Sequence, residues 1–206
     1  QLLAIGLLWL CVGRLHARDL GLDSGKLLQA ICWTLAIWFA AQIAFVMSRM
    51  GDVHIAHAWS TKPLLVLEDL ILGQVLGNAL YEELFFRSFL LVQLIIWFRN
   101  RSHGSPPKVL AWAVLAATLI FALTHIPGDI ARGSSGAQVL LDQIPRLVMG
   151  LIFAGIFLMT NNILLVVGIH AIFNKPTSPF HLGSTGIEQG VIALLPLILL
   201  VVIPQI

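Results

Sequence analysis

Apolar residues run along this chain in long blocks separated by short polar intervals. Leu2–Gly13 is a short apolar block, and Arg14–Lys26 is a polar loop of mixed charge. Leu27–Ser48 follows with 22 residues and no charge, enough for a helix to cross a hydrocarbon core of about 30 Å. Arg49–Pro63 predicts a loop that holds His54 and His57. Leu64–Phe98 has 35 residues, about 52 Å as one helix at about 1.5 Å per residue. That exceeds the bilayer core, so a strongly tilted, broken or interfacially extended helix is expected. Inside it Gly73 and Gly77 have the GxxxG spacing that permits close approach of another helix.

Arg99–Lys108 predicts a basic loop, and Val109–Ile126 the next span, with His125 at its end and Pro127-Gly128 stopping it. Gly128–Arg146 reads as a polar loop. Leu147–Asn174 is uncharged but too long for one simple span, and Thr160-Asn161-Asn162 divides it into Leu147–Met159 and Ile163–Asn174. Lys175-Pro176 closes the second piece, and Gly190–Ile206 is a last apolar segment kinked at Pro196. The expected fold is all-α: a polytopic transmembrane helical bundle of about seven apolar segments. Residues 1–63 would be N-terminal membrane segments, 64–174 a helical core, and 175–206 a C-terminal membrane segment.

Composition agrees with that pattern. The 206 residues are 58% hydrophobic and 11% charged, against about 25% charged in soluble domains, and the mean hydropathy is +0.93. An integral, multi-pass protein with the lipid bilayer as its surroundings is expected. A net charge of +2 is too small to argue for a nucleic-acid partner. Cys11 and Cys32 lie in or beside apolar runs and read as small buried hydrophobes. Because the chain begins at Gln1 inside an apolar run, a native sequence upstream of it is expected. Orientation is not set by the positive-inside rule. Arg14, Arg18, Lys26, Arg99, Arg101 and Lys108 lie in one set of alternate loops, and Arg49, Lys62, Arg132, Arg146 and Lys175 in the other.

Charges inside the apolar blocks change the picture from a membrane protein to one with chemistry. Glu82, Glu83 and Arg87 sit within Leu64–Phe98, and a charge at membrane depth costs roughly 3 kcal/mol or more. Glu83 and Arg87 are spaced i,i+4, so a helix sets them on one face as an ion pair. Glu82 points about 100° away, with no local cation. A carboxylate stripped of water in that way suits a general base. Phe121 and His125 share a helical face, as do His170 and Asn174. Glu82, His125, His170 and Asn174 thus come from three different apolar segments, which is how a bundle builds a site from facing helices. A Glu–His pair can hold and deprotonate a water, and a His–Asn pair can donate hydrogen bonds to a developing oxyanion. These are the parts for hydrolysing an amide without a covalent intermediate. Glu82, His125 and His170 could also hold zinc with an open position. The HExxH spacing is absent and Asn is a poor zinc ligand, so direct water activation with no cofactor is favoured.

Glu82-Glu83-x-x-x-Arg87, Phe121-x-x-x-His125 and His170-x-x-x-Asn174, in that order and with Thr160-Asn161-Asn162 between the last two, resemble the signature motifs of the CAAX protease and bacteriocin-processing (CPBP, or Abi) family. The resemblance covers Leu64–Asn174, the segment read above as the core. It implies an all-helical intramembrane endopeptidase whose substrates are prenylated CAAX-type, bacteriocin-like or other membrane-associated peptides. It implies that Glu82 and His125 activate water, that His170 and Asn174 form the oxyanion hole, and that Glu83, Arg87 and Phe121 support them. It leaves zinc open.

His16, His54, His57, His103 and His181 lie in polar loops and are expected to be solvated or interfacial. Two other classes of function fit a buried Glu/His set. An ion- or proton-coupled transporter would use them as relays, but it needs a continuous polar path and an internal repeat, and neither is evident. A non-catalytic membrane immunity or binding protein would keep the fold without cleaving.

Overall fold

The computed structural model describes residues 20–48, 54–101, 104–175 and 178–180. The apolar segments Leu2–Gly13 and Gly190–Ile206, with Cys11, His16, His103, His181 and Pro196, lie outside them. Among the described residues the chain is all-helical, with one isolated bridge between Ile55 and Phe180.

The first helix, α1, is Leu27–Ser48, the same bounds as the uncharged run. A 3-10 turn, Ser24–Lys26, leads into it, with the Asp23 side chain accepting from the Gly25 N–H. Ala30, Ile37, Ala41 and Gln42 are buried, whereas Leu28, Leu35, Phe39, Ile43 and Met47 form an exposed stripe at helical spacing. Cys32 is also exposed, not buried as its apolar neighbourhood suggests. A helix apolar on every face is a membrane helix, so hydropathy does not tell which side a small residue takes.

The long Leu64–Phe98 run is helical throughout and alternates between α- and π-helical backbone without a break. It comprises α2 (His57–Thr61) just before it, then α3 (Pro63–Glu68), a π-helical stretch Asp69–Ala79, α4 (Leu80–Glu83), a second π-helical stretch Leu84–Leu91, and α5 (Val92–Arg101). The wider π turn pairs Leu80 N–H with the carbonyl of Val75, five residues back. This explains Gly77 better than a helix–helix contact does: a Cβ there would stand 2.7 Å from the carbonyl oxygen of Leu72. A Cβ on Gly73 would stand 2.8 Å from the Asp69 side chain. Both glycines are exposed, so the GxxxG spacing serves the local backbone.

The remaining helices are α6 (Pro106–Leu123), α7 (Ile126–Ala131), α8 (Gly136–Thr160) and α9 (Ile163–Asn174). Two boundaries differ from the hydropathy reading. Pro127 does not simply stop α6; it sits in the first turn of α7, where its missing N–H is harmless. Gly128–Arg146 is not a loop, because α8 starts at Gly136, capped by Ser135 Oγ accepting from Gln138 N–H. Its polar first turns hid it: Gln138 bonds Asp142 across one turn, and Gln143 turns inward. The expected turn at Thr160-Asn161-Asn162 is present. Asn161 takes the left-handed conformation (φ 45°) and Asn162 caps α9 through Leu165 N–H.

These helices belong to two compact units, Leu22–Glu82 with Asn162 onward, and Glu83–Asn161 with Leu20 and Gly21. In the first, Gly168 of α9 meets α1 so closely that a Cβ would lie 2.1 Å from Thr34 Oγ1. Asn162 Nδ2 donates to the Lys26 carbonyl at the start of α1. In the second, Gly150 of α8 faces Thr118 and Phe121 of α6, where a Cβ would lie 2.8 Å from the Thr118 methyl. The outward faces of α6 and α8 carry Leu110, Trp112, Leu115 and Leu119, and Leu140, Leu141, Ile144 and Val148. Among the described residues, three helices, within Ser24–Ala44, Pro106–Ala131 and Gly136–Thr160, are long and apolar enough to cross a membrane, and Ile163–Asn174 is a shorter apolar helix.

Candidate active site

The unit boundary passes between Glu82 and Glu83. Adjacent residues on a helix point about 100° apart, and these two acids find different partners. Glu82 approaches His170: Oε2 and Nε2 are 3.8 Å apart, with the histidine side chain 3% and the glutamate side chain 15% exposed. That is too long for a hydrogen bond but within ion-pair distance when the imidazole is protonated. Packing holds the pair in register, because Ala79, Val167 and Ala171 form a small core with Val75 and Leu80 packed against it. Asn174 is the last residue of the His170 helix and is exposed. The next residue, Lys175, pairs with Asp69 at the start of the first π-helical stretch, tying down the end of α9 beside Asn174.

Glu83 is fully buried and receives the Arg87 guanidinium at 3.0 Å, as its spacing predicts. Arg87 is enclosed by aromatic rings, with its Cζ 4.2 Å from the Phe121 centroid and 5.3 Å from that of Phe153. A desolvated guanidinium against ring faces gains up to about 2 kcal/mol. Phe121 also meets His125 edge-on at 4.9 Å. The helix carrying Phe121 ends at Leu123, and His125 N–H turns back to the carbonyl of Ala122. The carbonyl of Phe121 is left to accept from Thr124 Oγ1 at 2.7 Å and from His125 Nδ1 at 2.8 Å. Since a carbonyl only accepts, Nδ1 carries the proton, and Nε2 keeps its lone pair when the ring is neutral.

Glu82, His170 and Asn174 therefore fall in one compact unit, and Glu83, Arg87, Phe121 and His125 in the other. The structure brings together Glu82 with His170, Glu83 with Arg87, and Phe121 with both Arg87 and His125. His54 and His57 are exposed. One cluster escaped the sequence reading altogether. Asp129, 1% exposed, is held by Arg146, Arg132 and Gln143. Its only signal was an acid four residues after His125, inside what read as a loop.

Among the described residues no three His, Cys, Asp or Glu side chains are grouped to hold a metal ion, and a catalytic zinc takes about three protein ligands.

The model of the Rce1-like family, described as type II CAAX prenyl endopeptidase Rce1-like, matches residues 64–175. The chain belongs to this family. No curated protein and no solved structure matches it. The Rce1-like match spans 112 of 206 residues and contains each of the motif residues from Glu82 to Asn174. Rce1-like proteins are a protease family, and with its three long apolar helices this Rce1-like chain is an integral membrane protein.

Proposed function

We propose that this protein is a multi-pass intramembrane endopeptidase that hydrolyses CAAX-type prenylated or other membrane-associated peptides. What carries the reading is a carboxylate and an imidazole side by side among apolar helices, Glu82 and His170, inside the segment that matches the family. Glu82 is the base that takes the proton of the attacking water. As the motif resemblance implies, His125 orients that water; its Nδ1–H donates to the Phe121 carbonyl, so Nε2 carries no proton when the ring is neutral. His170 and Asn174 donate to the oxyanion; the 3.8 Å between His170 and Glu82 is close enough for one tetrahedral centre to reach both. No step uses a metal. A cavity of about 280 Å³ beside the His170 helix, lined by Thr34, Trp38, Leu67, Val75, Ala171 and Ile172, lies near the lower edge of ligand pockets, about 300 Å³. Its lining suits an aliphatic chain, which favours a lipid-modified peptide over a free one.

The test is cleavage of a prenylated C-terminal CAAX peptide by protein reconstituted in liposomes, read by mass spectrometry of the released fragment. Glu82→Gln keeps the shape and removes the proton acceptor, so cleavage is expected to vanish. Equal cleavage by Glu82→Gln and wild type would remove Glu82 from the chemistry. A wild-type protein that cleaves no such peptide but conducts ions or protons would replace the reading with a transporter.

A further inference from the structure

His125 sits in a two-residue turn between α6 and α7, and a turn by itself holds a side chain poorly. We infer that Asp129 and Arg146 form a clamp that positions the His125 imidazole by locking α7 onto α8. The inference rests on the proposed role of His125 in water activation.

The clamp is unusually complete for a group this close to a turn. Arg146 meets Asp129 with both ends of its guanidinium: Nη2 donates to Oδ1 at 2.8 Å, and Nη1 donates to Oδ2. Arg132 Nη2 adds a bond to Oδ1 at 2.6 Å, and Gln143 Nε2 one to Oδ2 at 3.3 Å. Gln143 is itself braced by the carbonyl of Val139 at 2.7 Å. The carboxylate is 1% exposed and the Arg146 side chain 20%, whereas Arg132 is 67% exposed. Fork-to-fork pairing fixes direction as well as distance, so Arg146, one residue after Pro145 in α8, determines where α7 lies.

The clamp reaches His125 through the backbone. Asp129 N–H donates to the carbonyl of His125 at 3.1 Å, and Ser134 N–H donates to the carbonyl of Asp129 at 3.1 Å. His125 is thus tied backward by its ring to Phe121 and forward by its carbonyl to the clamped residue. Release Asp129, and α7 loses its bonds to Arg146 and Gln143 of α8; the imidazole keeps the ring bond but loses the fixed backbone beneath it. Asp129 touches no reacting atom, so it is a positioning residue, and a misplacement of about 1 Å can cost on the order of 100-fold in rate. A purely structural pair would lower stability and leave the rate per folded molecule alone.

Two readouts separate these cases. The first is kcat and KM for the prenylated peptide, per folded protein, in Asp129→Asn, Arg146→Gln, Arg146→Lys and the swapped Asp129→Arg/Arg146→Asp. The expected result is a kcat at least 10-fold lower with KM within about twofold in the first two, and partial recovery in the swap. Arg146→Lys keeps the charge but loses the fork; it is the variant to rely on if Asp129→Asn does not fold, and an intermediate kcat is expected. The second readout needs no cleavage: the rate at which diethyl pyrocarbonate modifies His125, followed by peptide mass spectrometry, should rise several-fold when the clamp is cut. Folded variants with wild-type kcat and wild-type His125 reactivity overturn the clamp. If the wild type cleaves no peptide, the protease reading fails, and the modification rate alone decides the clamp.

Discussion

Arg87 illustrates how much a single buried charge organises. It neutralises Glu83 and fills the space between Phe121 and Phe153, so its removal takes away the buried ion pair and leaves a gap. Losing one partner of a buried pair costs about 3–5 kcal/mol. Arg87→Ala is therefore expected to lower yield and thermal stability in detergent before it lowers chemistry; a stable Arg87→Ala protein that binds peptide but cannot cleave would place Arg87 among the reacting groups. Asn174 is the opposite case, an exposed residue at a helix end with little to stabilise. If it donates to the oxyanion, Asn174→Ala should fold normally and lose about 100- to 1000-fold in turnover, with residual activity that Glu82→Gln lacks. The same preparation decides the metal question: cleavage is expected to survive thorough chelation, and bound zinc that disappears in His170→Ala, together with activity, would restore the zinc reading.

Elements here are placed by small residues more than by large ones. α9 carries His170, and its approach to α1 is set at Gly168, where even a methyl group would collide with Thr34. Without a hydrophobic force between helices in lipid, such close contact is what holds them. Gly168→Ala is expected to lower the unfolding temperature, in line with an overpacking cost of about 1–3 kcal/mol. Thr34→Ala should recover part of it in the double variant. If Gly168→Ala melts as the wild type does, α1 and α9 do not pack through this point. Among the described residues, the nearest neighbours of the GxxxG pair are the Leu72 carbonyl and the Asp69 side chain of its own π-helical stretch. Sequence spacing marks small residues without saying what they are small for.

For the molecule as a whole, the outward side chains decide its medium. Leu, Ile, Phe and Trp cover the exposed faces of α1, α6 and α8, far beyond the scattered apolar residues of a soluble surface. The protein should stay in the membrane fraction through alkaline carbonate extraction and leave it only with detergent. Release by carbonate alone would mean a peripheral protein and would undercut every argument from membrane depth.

The sequence by itself determined the all-helical class, the bounds of α1, the break at Asn161-Asn162 and the Glu83–Arg87 pair, because each depends on neighbours within a turn or two or on hydropathy summed over a window. It also carried the motif residues through which the family is seen. Tertiary structure decided the rest. Glu82 meets His170 across 88 positions, Gly168 presses on Thr34, and Asp129 is clamped by Arg146 from a helix that began where polar residues suggested a loop. Those polar residues look alike in sequence whether they face water or one another. Only packing tells them apart, because a carboxylate taken out of water survives only where its donors are already in place.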